Sequence, residues 1–367
     1  MRKTLFYYIA REMLLNFLVC FLFFFLIFFV NQILLMAEDI LSKKAPVKDV
    51  LLLILYSLPS IIATSSPFAA LVGTLMGIGR LVSDREILSM NALGVPLRFI
   101  IAPVLAVGVL ISVASFFTND ILLPAGTIQF TRLYKKILTA TPALELESNS
   151  IKRNQNAILV TGTIKDGTMD SLLVIDSNSD GSKRIIISPE ANVIKSSDEA
   201  ILMTLHMNDA LVSVFDKKNA DSYDIIRSKD IYYNILLKNI LSSYSSAISP
   251  REMSSRDLQT EIKKREKETD SRTLNNYKME YHKKFSIPLG AFFFVILAFP
   301  LGLSAKTNGQ SVGFILGLII AVLYWAMLIG GQTLSMRLGF NGVLMMWLPN
   351  IIISFLGLIF MGRKLFQ

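Results

Sequence analysis

The sequence predicts an α-helical membrane protein of six transmembrane helices with one inserted all-β, jelly-roll-like domain. Two observations carry the prediction. Of 367 residues, 52% are hydrophobic and 18% charged, and the mean hydropathy is +0.51, well outside the range of soluble domains. The apolar residues are also gathered into long charge-free runs at both ends of the chain, while the middle breaks into short β-branched runs separated by turn residues.

A bilayer core about 30 Å thick is crossed by roughly 20 helical residues. Leu14 to Met36 meets that requirement, as do Val50 to Ile78, Phe99 to Thr118, Phe285 to Leu303, Val312 to Gln332 and Gly342 to Met361. The first run is longer than a signal-peptide core, and no small-residue cleavage site follows it before Asn31. It is expected to remain as a span. The single cysteine, Cys20, lies within it and excludes an intramolecular disulfide. In the second run, Pro59 and Pro67 predict a kinked or broken helix, with the serines between them satisfying the freed carbonyls. Ala69, Ala70, Gly73, Gly77 and Gly79 then allow close approach of another helix.

Lys and Arg gather in the loops after the second, fourth and sixth runs and before the first. The positive-inside rule therefore places both termini in the cytoplasm and Asp120 to Lys284 outside it. The net charge of +9 reflects this bias; no basic run is interleaved with aromatics as a nucleic-acid groove requires, so no nucleic acid is expected as a partner.

Between Ala157 and Leu237, short strands are expected at residues 158–160, 172–175, 185–187, 201–207, 211–215 and 231–237. Lys165-Asp166-Gly167, Ser179-Asp180-Gly181 and Lys217-Lys218-Asn219 are read as hairpin loops. Alternation puts Ile201, Met203, Leu205 and Met207 on one face and Leu202, Thr204 and His206 on the other. A polar helix follows, starting at Ser254 with Asp257 three residues on and carrying Leu274, Tyr277, Tyr281 and Phe285 as a stripe into the fourth span. The chain thus divides into residues 1–123, the first three transmembrane helices with a short helix at about 83–94; 124–250, the β-domain; 251–284, the connecting helix; and 285–367, the last three transmembrane helices.

Chemistry is sparse. There is no P-loop, so no nucleotide site of that kind. His206 and His282 are the only histidines; they are not spaced as metal ligands, and both are expected to be solvated. Ser65 and Ser66 have no Lys or His in the spans to activate them. No catalytic residue, metal or cofactor is assigned.

The loop after the second span is more informative. Ser83 with Glu86 reads as a capping box, Ile87, Met90 and Leu93 line one face, and Gly94-Val95-Pro96 ends the helix. Such an amphipathic helix suits either a soluble partner or the headgroup surface.

Here the chain resembles the LptF/LptG family, the paired permease subunits of the lipopolysaccharide export transporter. Ser83, Asp84, Glu86, Ile87, Met90, Gly94 and Pro96 carry the loop pattern. Further matches are Tyr8 to Glu12, Pro67 with its following glycines, Pro103, Pro124, Glu280 to Pro288, Pro300-Leu301-Gly302, Gly309 to Gly313, Tyr324 and Trp347-Leu348-Pro349-Asn350. The resemblance covers the whole chain in order.

It implies a bacterial inner-membrane protein with a periplasmic β-domain, paired with a homologous second permease in an LptF/LptG heterodimer. A cytoplasmic LptB-like ATPase dimer would hold ATP and Mg and dock on the coupling helix. Lipopolysaccharide would pass from the outer leaflet of the inner membrane into the β-domain and on to LptC/LptA-like bridge proteins. Residue by residue, Glu86 matches the coupling glutamate, with Asp84, Arg85, Ile87, Met90 and Leu93 around it. Lys43 and Lys44 lie where the family meets lipid phosphates, although membrane anchors would look the same. Ile201, Met203, Leu205 and Met207 serve either as an acyl path or as closed core. The first span and its following loop lean towards the LptF-like member. A membrane-anchored envelope scaffold or sensor is the alternative from another class. A secondary transporter is disfavoured because the spans offer mainly Asn31, Gln32, Gln332 and Asn350, all uncharged.

Overall fold

A computed structural model describes residues 2–41, 46–140, 148–154, 157–165, 167–177, 183–194, 201–215, 223–236, 249–266, 271–304 and 309–365. Among these, six helices are long and apolar enough to cross a membrane: Lys3–Met36, Val47–Ser83, Leu97–Ile137, Ser271–Leu303, Gln310–Leu338 and Gly342–Lys364. Each contains one of the apolar runs, in order. The chain separates into two compact units, one of residues 1–35, 54–129 and 250–367 and one of residues 36–53 and 130–249.

In the membrane unit, α1 (Arg2–Leu41) and α2 (Val47–Ser83) meet at small residues. A Cβ on Gly73 would lie 2.8 Å from the Phe17 Cα, and one on Gly77 would lie 2.5 Å from the Met13 Cε. Close backbone approach explains Gly73, whereas Gly77 faces the flexible end of the Met13 side chain. Of the expected kink or break in α2, the break does not occur: the helix is continuous through Pro59 and Pro67. The Ser65 and Ser66 hydroxyls donate to the carbonyls of Ile61 and Ile62, not to Ala63, the acceptor that the missing Pro67 N–H leaves free. Hydroxyls reach back one turn along their own helix, and that geometry decides the partner.

A short helix α3 (Glu86–Ala92) leads to α4 (Leu97–Phe117). A π-helical turn at Thr118–Leu122 then passes into α5 (Leu123–Ala140), so helix persists well past the apolar run. The turn directly precedes Pro124, which cannot donate to the Asp120 carbonyl, and the wider register accommodates that loss. After the β-domain the expected single connecting helix is two. The first is α6 (Ser255–Arg265), with Ser254 and Asp257 forming a reciprocal capping box. The second, α7 (Ser271–Leu303), runs unbroken into the fourth span. Arg265 stacks over the Tyr277 ring and Lys278 pairs with Glu266, joining the two. Helices α8 (Gly309–Leu338) and α9 (Gly342–Leu365) complete the unit.

The β-unit holds nine antiparallel strands among the described residues. They are β1 (Ile151–Asn154), β2 (Ala157–Thr161), β3 (Ile164–Lys165), β4 (Thr168–Met169), β5 (Leu172–Ser177), β6 (Lys183–Ser188), β7 (Glu190–Ile194), β8 (Ile201–Phe215) and β9 (Tyr223–Leu236). Strand order is β1-β2-β5-β6-β8-β7-β4-β3, with β9 on β8. The two strands expected at 201–207 and 211–215 are one strand, β8, with Asp209 in the left-handed region at φ 50°. Residues 211–215 of β8 pair with β6 and residues 204–208 pair with β7, while β9 runs along the whole of β8. Pro189 separates β6 from β7 opposite this point, so the two strands pair with successive stretches of β8. Ser188 sits there fully buried, its hydroxyl within reach of the carbonyls of Glu190 and Asn208. Two of the expected hairpin loops, 179–181 and 217–219, and Asp166 of the third lie outside the described residues. The strands flanking each loop pair antiparallel, and Gly167 has φ 83°.

Candidate functional site: the loop helix and the polar contacts of the spans

Helix α3 is seven residues long and gains its stability from packing, because so short a helix is marginal alone. Ile87 is buried in a cluster with Ile9 and Met13 of α1, Ile78 and Leu81 of α2 and Ile100 of α4, and Met90 packs against its edge. The expected capping box is absent. Ser83 is the last residue of α2, and the N-cap position is Arg85, at φ 58° with no side-chain cap bond. A non-glycine residue in that region carries roughly 1–2 kcal/mol of strain. The C-terminal end is as expected: the Gly94 N–H donates to Asn91 O and the Val95 N–H to Met90 O, a Schellman pair with Gly94 at φ 78°.

The Glu86 carboxylate is engaged elsewhere. Its Oε2 accepts from the Tyr8 hydroxyl of α1 at 2.7 Å. One turn along α1, Glu12 Oε1 accepts from Arg80 Nη1 at 2.6 Å and from Asn16 Nδ2 at 2.9 Å. Arg80 Nε also reaches Asp84 at 3.4 Å. The loop is therefore tied to α1 by Tyr8–Glu86 and by Asp84–Arg80–Glu12. Leu88 and Leu93, 65% and 77% exposed, present an apolar surface beside it. Asp84, Arg85, Glu86, Ile87, Met90 and Leu93 thus lie within one loop, but Ile87 faces inward and only Leu93 of its expected stripe is exposed. Tyr8, Glu12 and Arg80 carry no mark that ties them to this loop in the sequence, because the contacts span 68 to 78 residues.

Lys43 and Lys44 lie outside the described residues. Met203, Leu205 and Met207 are fully buried with Leu159, Met169, Val174 and Ile186, and Ile201 is partly exposed at the end of β8. His206 keeps its place on the polar face, bonded to Asp230 at 2.9 Å and stacked on Tyr232. His282 is not simply solvated: its Nδ1 accepts the Trp347 indole N–H at 3.2 Å.

The spans also hold polar contacts between helices. Asn350 of α9 is 1% exposed. It accepts from the Tyr324 hydroxyl and donates to the Ser286 carbonyl. The Lys284 ammonium, 3% exposed, donates to the Asn119 carbonyl of the π-turn at 3.1 Å. Asp120 accepts from the Ser255 backbone N–H at 2.7 Å and from its hydroxyl at 3.0 Å. Buried charge was not expected in the spans. The sequence pattern leaves Lys284 outside the span because the apolar run begins one residue later, at Phe285, whereas the helix itself begins at Ser271.

Six spanning helices, an antiparallel β-unit between the third and fourth, and a short packed helix in the loop after the second define a multi-pass membrane protein with an inserted β-domain. Residues 7–363 match the profile of the lipopolysaccharide export system permease LptF/LptG, and the chain belongs to that family. No match is found among curated proteins. The chain is therefore a lipopolysaccharide export permease, a non-catalytic subunit by family.

Proposed function

We propose that this permease works as one half of an ATP-driven extractor. It takes lipopolysaccharide from the outer leaflet of the inner membrane and delivers it through its periplasmic β-domain towards the outer membrane. Both termini are cytoplasmic in this reading. A homologous second permease completes the membrane portion as an LptF/LptG heterodimer, this chain being the LptF-like member. An LptB-like ATPase dimer supplies ATP and Mg, and LptC/LptA-like proteins continue the path. This chain contributes no cofactor.

The observation that carries the reading is the construction of the loop at α3. Ile87 anchors it to three spans, Leu88 and Leu93 stay exposed, and Glu86 stands bonded to α1. A surface anchored this way transmits force from a docked protein to α1, with Glu86 making a charge-assisted bond to an arginine of the ATPase. Asp84 and Arg85 flank it, and Met90 supports the packing. Lys43 and Lys44 are assigned to lipid phosphates. Ile201, Met203, Leu205 and Met207 are assigned to the acyl path; a methionine-rich core re-packs around a guest more readily than a branched aliphatic one.

Affinity purification from the native membrane tests this. A second six-span chain and a P-loop ATPase are expected to accompany the protein; isolation as a lone chain would instead support an envelope scaffold or sensor. Glu86→Ala is expected to insert normally, abolish transport and weaken retention of the ATPase.

A further inference from the structure

A cavity of about 290 Å³ opens within the membrane unit, bounded by α2, the π-turn, α7, α8 and α9. One of its lining residues, Arg251, directly follows Pro250, where the chain re-enters this unit. Four charged side chains line it: Arg251, Lys283, Lys284 and Glu280. Glu280 is bonded to Lys283 at 3.2 Å. The nearby carboxylate of Asp120 is committed to the start of α6. Lys284 is the deepest cation and Arg251 is exposed.

The Lys284 ammonium has three N–H donors and one hydrogen-bonding partner, a neutral carbonyl. No carboxylate among the described residues lies within 4 Å of it. Asp120 and Glu280 offset its charge from a distance, while Arg251 and Lys283 oppose it. A buried cation is costly unless paired and fully hydrogen-bonded, so this arrangement is incomplete without an anion. Three cations against the lining carboxylate of Glu280 leave an excess of two charges, and the nearby Asp120, whose hydrogen-bond donors are neutral, reduces it to about one. A phosphate monoester is anionic near neutral pH and offers three acceptor oxygens to these three cationic side chains. The remaining lining is largely apolar, including Phe68, Trp325 and Ile329, and suits a phosphate carried on a larger amphiphile.

We propose that this cavity binds a phosphate group, with Lys284 as its inner ligand and Lys283 and Arg251 as its outer ones. The phosphate belongs either to a lipid headgroup or to the free ion. Only the lipid source rests on the permease reading; the phosphate chemistry stands on the cavity.

The test uses the full chain purified in detergent with whatever accompanies it, and native mass spectrometry with three probes: diphosphorylated lipid A, its dephosphorylated form and inorganic phosphate. Phosphorylated lipid A is expected to bind about tenfold tighter than the dephosphorylated form. Lys284→Gln removes that difference, Lys284→Arg restores most of it, and Arg251→Gln, at an exposed position whose guanidinium also reaches the Ser60 hydroxyl at 3.3 Å, lowers it by about threefold. Occupancy by inorganic phosphate with no preference between the lipids keeps the phosphate site and overturns the lipid source. Indifference to phosphate in all three probes overturns the site. Loss of the ATPase from the preparation with the phosphate preference intact would count against the permease reading alone. An intact complex without the preference would count against the cavity alone.

Discussion

The Tyr8 hydroxyl donates to the Glu86 carboxylate at 2.7 Å, joining the start of the first span to a loop helix 78 residues away. The bond holds the carboxylate in one orientation and links α3 to α1 without a buried charge. Tyr8→Phe removes it while leaving the ring in place. The expected outcome is a several-fold fall in transport by the reconstituted complex with ATPase retention unchanged, since the charge of Glu86 survives and only its tether is lost. Transport at the wild-type rate would show that the bond has no part in coupling.

Gly73 and Gly94 separate two kinds of glycine requirement. At Gly73 an added Cβ meets the Phe17 backbone at 2.8 Å, so Gly73→Ala forces α1 away and is expected to cost about 1–3 kcal/mol. At Gly94 nothing lies within 4 Å and the penalty is the positive φ alone, about 1–2 kcal/mol. Thermal melting in detergent should show both losses. α1–α2 cross-linking should change only for Gly73→Ala.

Asp209, the left-handed residue of β8, takes two bonds on its carboxylate from Arg227 of β9, at 2.9 and 2.6 Å. Hydrogen bonding to Arg227 holds the Asp209 carboxyl below its ordinary value. A depressed folded-state value means stability that is present above the unfolded value of about 3.9 and lost as pH falls through the folded one. Asp209→Asn should therefore melt below the wild type at pH 7, with the gap closing under acid; a gap independent of pH would contradict the assignment. Because the pair is exposed, the gap should also shrink in high salt.

At the alkaline end, burial and the neighbouring Asp176 push the Tyr233 phenol up to about 12. A raised folded-state value gives stability that is full below the unfolded value of about 10 and declines as pH rises through the folded one. Tyr233→Phe should flatten the loss of β-domain stability between those limits, followed by circular dichroism of the full chain. An unaltered alkaline profile would mean that Tyr233 does not titrate late.

Asn350 connects α7, α8 and α9 through Ser286 and Tyr324. Asn350→Leu strands both partners and is expected to cost about 1–3 kcal/mol, more than Tyr324→Phe, which leaves the Ser286 bond in place. A double-mutant cycle between the two positions should show clear coupling; additive effects would mean the hydroxyl is satisfied elsewhere.

The sequence by itself determined the six spans, the place of the β-insertion and the end of α3 at Gly94. Each depends on local pattern: apolar length against a fixed bilayer thickness, turn residues between β-branched runs, and a residue that tolerates positive φ. The family loop around Glu86 was legible for the same reason, as a contiguous motif. Tertiary structure decided the rest. Whether Ser83 caps α3 depended on how far α2 continued, and 201–215 became one strand because β6 and β7 share an edge of β8. The partner of Glu86 had to come from α1, and the burial of Lys284 from the π-turn of another span. Contacts between residues tens to hundreds of positions apart follow from how helices pack, which no local periodicity encodes.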